Sequence, residues 1–117
     1  MNQVNAALAA GTWPMAPVPY LYIWGVNQHG QIGDGTVTNR SSPVQVGALT
    51  NWLLVASGLY NSIATKEDGT LWSWGQNNYG KLGLGDAISR SSPVQVGALT
   101  TWKNLAAGWS NSMATTG

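Results

Sequence analysis

The chain has 117 residues, only 8% of them charged, and a formal net charge of +1. An average soluble protein has roughly 25% charged residues. Here Arg40, Lys66, Lys81, Arg90 and Lys103 stand singly, so no basic stripe follows a phosphate backbone and nucleic acid is not an expected partner. Cysteine is absent, which removes disulfides and thiolate metal sites, while 15 Gly and 7 Trp suit tight turns and broad packing surfaces.

The opening "MNQVNAALAAGTW" has no Lys or Arg and only a brief Ala/Leu run. It is a poor export signal and too short to span a bilayer. The expected location is therefore a cytoplasm, or a virus particle, since such particles assemble inside the cell. Residues 1–19 read as an N-terminal arm. Asn5 to Ala10 allow a short helical turn ending at Gly11, then extended "PMAPVP" follows; docking to a larger body is one use for such an arm.

From residue 20 the chain is written twice. "YLYIWG" alternates, with Tyr22 and Trp24 on one face, and reads as a strand. A turn region with glycines at 30, 33 and 35 comes next, where positive φ angles are expected. Pro43 opens "PVQV", a short strand with proline tolerated at its first residue. "WLLVASG" supplies a third strand and "NSIAT" a fourth. The second copy follows at an offset of fifty: "TLWSWG", glycines at 80, 83 and 85, "PVQV" from Pro93, "WKNLAAG" and "NSMAT". "RSSPVQVGALT" is identical at Arg40 and at Arg90. Self-similarity at such a period marks solenoids, propellers and arrays. No sustained helical period appears after Pro19. The expected organisation is all-β, with 20–69 as a first repeat and 70–117 as a second, each one four-stranded antiparallel propeller blade.

The order Trp-Gly-x-Asn-x-x-Gly-x-Leu/Ile-Gly, then Ser-Pro, then Gly-x-x-Asn-Ser-x-Ala, resembles the regulator of chromosome condensation repeat over Tyr20 to Thr116. The resemblance implies a β-propeller; members of that family close seven blades. Two blades cannot close a ring, because propellers typically need about four to eight. Two readings of the partner follow: identical chains join head to tail, about three or four to a ring, or a longer chain supplies further blades.

Enzymatic signals are weak. Gly75 to Lys81 fits the first seven positions of a phosphate-binding loop, but Leu82 stands where Ser or Thr should hold magnesium. His29 is the sole histidine, and Asp34, Glu67, Asp68 and Asp86 lie on separate turns, so no catalytic, cofactor or metal site is expected. Asn39 to Ser41 matches a glycosylation sequon, of little meaning without export. The two copies differ mainly in predicted loops, where binding residues sit on a rigid frame. His29, Tyr60, Tyr79 and Trp109 are the candidate partner-contact residues; packing between blades is their alternative role.

The nuclear members of the resembled family exchange nucleotide on a small GTPase and bind chromatin. This chain has too few blades, no basic tail, and Asn61 and Asn111 where many repeats place histidine, so that activity is not expected. Low charge and near-identical copies are similar to bacterial and phage versions of the repeat. The expected function is a non-catalytic structural or protein-binding module of a phage virion (tail, fibre or capsid surface), contacting other virion or surface proteins. The alternative is a bacterial protein-binding propeller that grips its partner with its loop face, as in the family's β-lactamase-inhibiting member.

Overall fold

The computed structural model describes residues 19–117. The expected arm, with its helical turn at Asn5 to Ala10, lies outside the described residues except for Pro19. Eight strands follow in chain order: β1 (Tyr22–Gly25), β2 (Arg40–Gln45), β3 (Trp52–Ser57), β4 (Asn61–Lys66), β5 (Leu71–Gly75), β6 (Arg90–Gln95), β7 (Trp102–Ala107) and β8 (Ser112–Thr116). Among the described residues there is no helix.

All the pairings are antiparallel, and the sheets are β1-β2, β3-β4-β5-β6 and β7-β8. Each repeat does supply four strands, but the sheets do not begin and end with the repeats. The complete blade runs from Trp52 to Gln95, across the repeat boundary, with a half-blade on either side. A tight hairpin decides this phase. The Gly69 amide donates to the Lys66 carbonyl at 2.9 Å and the Lys66 amide to the Thr70 carbonyl at 3.0 Å. Asp68 accepts from the Thr70 amide and hydroxyl at 3.0 and 2.6 Å, and Gly69 supplies the positive φ of +85°. An Asp-Gly turn of this kind joins neighbouring strands directly, so β4 lies beside β5.

The second difference concerns proline. β2 and β6 begin at Arg40 and Arg90, so Pro43 and Pro93 are interior rather than first residues. Both strands lie at sheet edges, and both ladders break register opposite this stretch, between Ile23 and Gly25 and between Ser73 and Gly75. The missing amide thus falls where no ladder bond is required.

The core is aromatic. Trp74, Trp52, Val46 and Ala64 form one buried cluster, with Leu21, Ile23, Leu49 and Trp72 packed against it. Trp72 and Trp74, two apart on β5, both meet Trp52, at centroid distances of 6.4 and 5.8 Å. The first half-blade is fastened to the central blade through its loop. The Gln31 carbonyl accepts from the Ser62 hydroxyl at 2.8 Å and the Trp74 indole at 2.9 Å, and the Gly35 amide donates to the Ser91 carbonyl at 2.7 Å. On the other side β7 packs against β3 and β4.

Candidate loop face

Four loops gather at one end of the sheets: 26–39, 58–60, 76–89 and 108–111. The two long ones are stapled from within by the repeated asparagine. Asn27 is fully buried; its amide nitrogen donates to the Thr36 and Thr38 carbonyls, both at 2.9 Å, and its oxygen accepts from the Ile32 amide at 2.9 Å. Asn77 does the same with the Asp86 and Ile88 carbonyls, at 3.1 and 3.0 Å, and the Leu82 amide, at 2.9 Å. An ion pair braces each loop, Arg40 to Asp34 at 2.9 Å and Arg90 to Asp86 at 2.6 Å.

The acids serve these turns. Burial works to raise the Asp34 carboxyl, but the Thr36 hydroxyl and amide and the Arg40 guanidinium outweigh it and hold the group below the ordinary aspartate value. The Ile88 amide does most to hold Asp86 down, with Arg90 and Asn77 adding to it. Both carboxylates are therefore charged at neutral pH. Among the described residues, no three His, Asp or Glu side chains come together as a metal would require.

Lys81 holds separate loops to one another. It is 5% exposed, and its ammonium donates to the Leu59 carbonyl and, at 3.1 Å, to the Trp109 carbonyl. Burial lowers its pKa. This explains why the stretch from Gly75 to Leu82 mimics a phosphate loop without being one: the lysine turns inward to two carbonyls, and no helix follows it.

The four candidate contact residues fall into two groups on these loops. His29 and Tyr60 meet each other, with ring centroids 4.7 Å apart. Tyr60 adopts a left-handed φ of +63°, unusual for a bulky residue and costing on the order of 1 kcal/mol or more. Its side chain is partly buried, with the His29 ring against it. Tyr79 and Trp109 project outward, 75% and 76% exposed, from two of the three loops that Lys81 joins. Asn27, Asn77 and Lys81 escaped the sequence reading. The asparagines were marked by their identity in both copies. Lys81 was marked only by its place in the phosphate-loop-like stretch; its acceptors lie 22 and 28 residues away.

Replacing Asn77 by alanine removes the partner of the buried Leu82 amide and of the Asp86 and Ile88 carbonyls. The expected loss of stability is about 2–3 kcal/mol, read from the urea midpoint. A change below about 0.5 kcal/mol, the usual surface value, would show that the loop holds itself.

A four-stranded antiparallel blade between two half-blades, with long loops gathered at one end, is a segment of a β-propeller. The chain belongs to the regulator of chromosome condensation family: the Regulator of chromosome condensation (RCC1) repeat matches residues 20–65 and 68–115, and a second form of that repeat matches 53–81. Human WBSCR16 is similar, with a TM-score of 0.75 and 26% identity over 84% of this chain and 26% of that one. Yeast RCC1 (Prp20), solved bound to Kap60, gives a TM-score of 0.70 and 24% identity over 83% of this chain and 26% of that one. Prp20p from Saccharomyces cerevisiae, described with its binding to Gsp1p and histones, gives 0.72 and 19% over 82% and 26%. At these identities the two yeast structures show the fold alone. The chain spans about a quarter of the length of each of the three. No curated protein matches it in sequence.

Proposed function

We propose that this chain is a non-catalytic, protein-binding propeller segment that recognises its partner through the loop face. The observation that carries the reading is the pair of outward aromatics, Tyr79 and Trp109, on loops held by Lys81. Rigid, exposed aromatic side chains are the usual anchors of protein interfaces, because they bury a large area while losing little conformational freedom. The similar yeast protein was solved bound to another protein, Kap60, which is in keeping with this reading.

The setting proposed is a phage virion, as a tail, fibre or capsid-surface component. It is supported by the near-identical copies, the low charge and the Ser/Thr/Asn/Gly-rich loops, which are similar to phage versions of the repeat. Purified particles should contain the chain by mass spectrometry. With Tyr79→Ala and Trp109→Ala, its retention on particles should fall about tenfold or more per substitution, as loss of an interface anchor implies, while its circular dichroism stays unchanged. Absence from particles overturns the virion setting. Full retention by both variants overturns the loop-face contact.

A further inference from the structure

Among the described residues, two that are not glycine adopt positive φ, Asn51 and Tyr60. Asparagine enters that region readily, and a bulky side chain does not. Strain of this kind persists only where the surroundings hold it, and it gathers at ligand clamps and switches. The Tyr60 turn, between β3 and β4, is held at both of its peptide groups. Ahead of the residue, the Leu59 carbonyl accepts from the Lys81 ammonium. After it, the Tyr60 carbonyl accepts from the Gln76 amide at 2.8 Å. Gly75 lies so close that a Cβ there would come within 2.5 Å of the same carbonyl oxygen, so the turn has no room to swing toward β5.

The ring of Tyr60 is set from the other side by the first half-blade. His29 lies against it, with centroids 4.7 Å apart and planes at 47°. His29 is fixed in turn, because its amide donates to the Gln31 side-chain oxygen at 2.9 Å. Positions 31 and 81 are equivalent in the two repeats, so the same place in the repeat serves both members of the pair: Gln31 fixes His29, and Lys81 fixes Tyr60. Lys81 does more than that. Its ammonium also donates to the Trp109 carbonyl at 3.1 Å, and with 5% of its surface exposed it has little water as an alternative. A single amine thus holds the peptide before Tyr60 and the peptide after Trp109. All these contacts run between loops present in the chain, and none uses an open strand edge.

We infer that Lys81 is the positioning residue of the loop face: it holds Tyr60 in its strained turn and the Trp109 loop in place together, so that the His29–Tyr60 pair and Trp109 meet a partner protein as one surface. The inference rests on the loop-face reading and adds how that face is set. Without the amine, the Leu59–Tyr60 peptide is free to rotate. The φ of Tyr60 then returns to the negative region, where a bulky residue is at ease, and the ring leaves His29. The Trp109–Ser110 peptide loses its donor at the same step. Coupling of this kind is reciprocal, so a partner that fixes Trp109 also favours the strained turn at Tyr60. The arginines of these loops do not share the role, since Arg40 and Arg90 are paired with Asp34 and Asp86.

His29 is the sole histidine, so its imidazole protons report the neighbouring Tyr60 ring by NMR without ambiguity. In Tyr60→Gly they should lose the shift that this ring imposes. Lys81→Met, with the Tyr60 ring still present, should move them most of the way to the same positions and should also shift the Tyr60 and Ser110 amides. Lys103→Met, at an exposed lysine of β7, should move none of these signals. If Lys81→Met does not fold, Lys81→Gln is read in the same way, since its shorter side chain cannot reach both carbonyls. Strain is read separately: Tyr60→Gly should have a higher urea midpoint than Tyr60→Ala, reversing the usual order of the two residues. His29 or Ser110 signals unmoved by loss of the amine overturn the inference. So does a Tyr60→Ala midpoint equal to or above that of Tyr60→Gly. None of these measurements uses a partner or alters Tyr79 or Trp109, so the coupling and the loop-face contact fail separately.

Discussion

Trp74→Ala should cost about 4 kcal/mol, within the range for removing a fully buried tryptophan. The substitution deletes the centre of the cluster with Trp52, Val46 and Ala64 and leaves the Gln31 carbonyl with one donor instead of two. Small domains are stable by only about 5–15 kcal/mol, so most of that margin disappears and unfolding should occur in mild urea. Trp24, in the same position of the other repeat, provides the comparison. In dilute, single-chain samples Trp24→Ala should change stability by less than about 0.5 kcal/mol, as exposed sites do. Equal losses for the two tryptophans in such samples would mean that both are enclosed within one chain.

Gly75→Ala should be comparably damaging, at about 4 kcal/mol, from left-handed backbone strain and a steric clash together. Gly75 has φ +107°, and a Cβ there would meet the Tyr60 carbonyl oxygen at 2.5 Å and the Asn61 Cα at 2.7 Å. The Gln76 amide donates to that same Tyr60 carbonyl at 2.8 Å, so the carbonyl cannot simply turn aside. Gly25 has nearly the same backbone, φ +115°, but nothing lies within 4 Å of its Cβ position. Gly25→Ala should therefore cost only the backbone term, about 1–2 kcal/mol. Urea midpoints of the two variants read the difference directly. Matching midpoints would contradict the close approach of β5 to the Tyr60 turn.

Strand content was largely legible in the sequence, because alternation and the fifty-residue offset agree with each other. The phase of the sheets relative to the repeats was not legible. A period states a spacing and has no origin, so any residue serves equally well as the start of a unit. The deciding signal was nonetheless present in "KEDGT": an Asp-Gly turn flanked by two strands ties β4 to β5, and drawing the boundary between Gly69 and Thr70 cut that hairpin in two. Pro43 and Pro93 misled in a smaller way. Proline suggests a strand start, but an edge strand with a broken ladder accommodates it in the interior.

The loop face was legible only as a location. Differences between the copies pointed to the loops, but His29 and Tyr60 differ from Tyr79 and Trp109 in a respect that spacing cannot show. One pair closes on itself, and the other stands in solvent. Asn27 and Asn77 were visible as identities without a stated cause. Three hydrogen bonds made by each to its own loop supply the cause, and they explain why no other side chain of that size fits: the site needs two donors and one acceptor on one planar group.

The central structural claim is that a complete blade is assembled from the end of one repeat and the beginning of the next. Amide hydrogen exchange resolved by residue tests it most directly. The expected result is that the amides of β4 and β5 that bond across the Asn61–Gly75 ladder exchange slowest of all, with β4 protected along both edges. If instead β4 exchanges along one edge as a free strand, and the slow amides form a block confined to β1 through β4, the blades begin and end with the repeats and the claim is wrong.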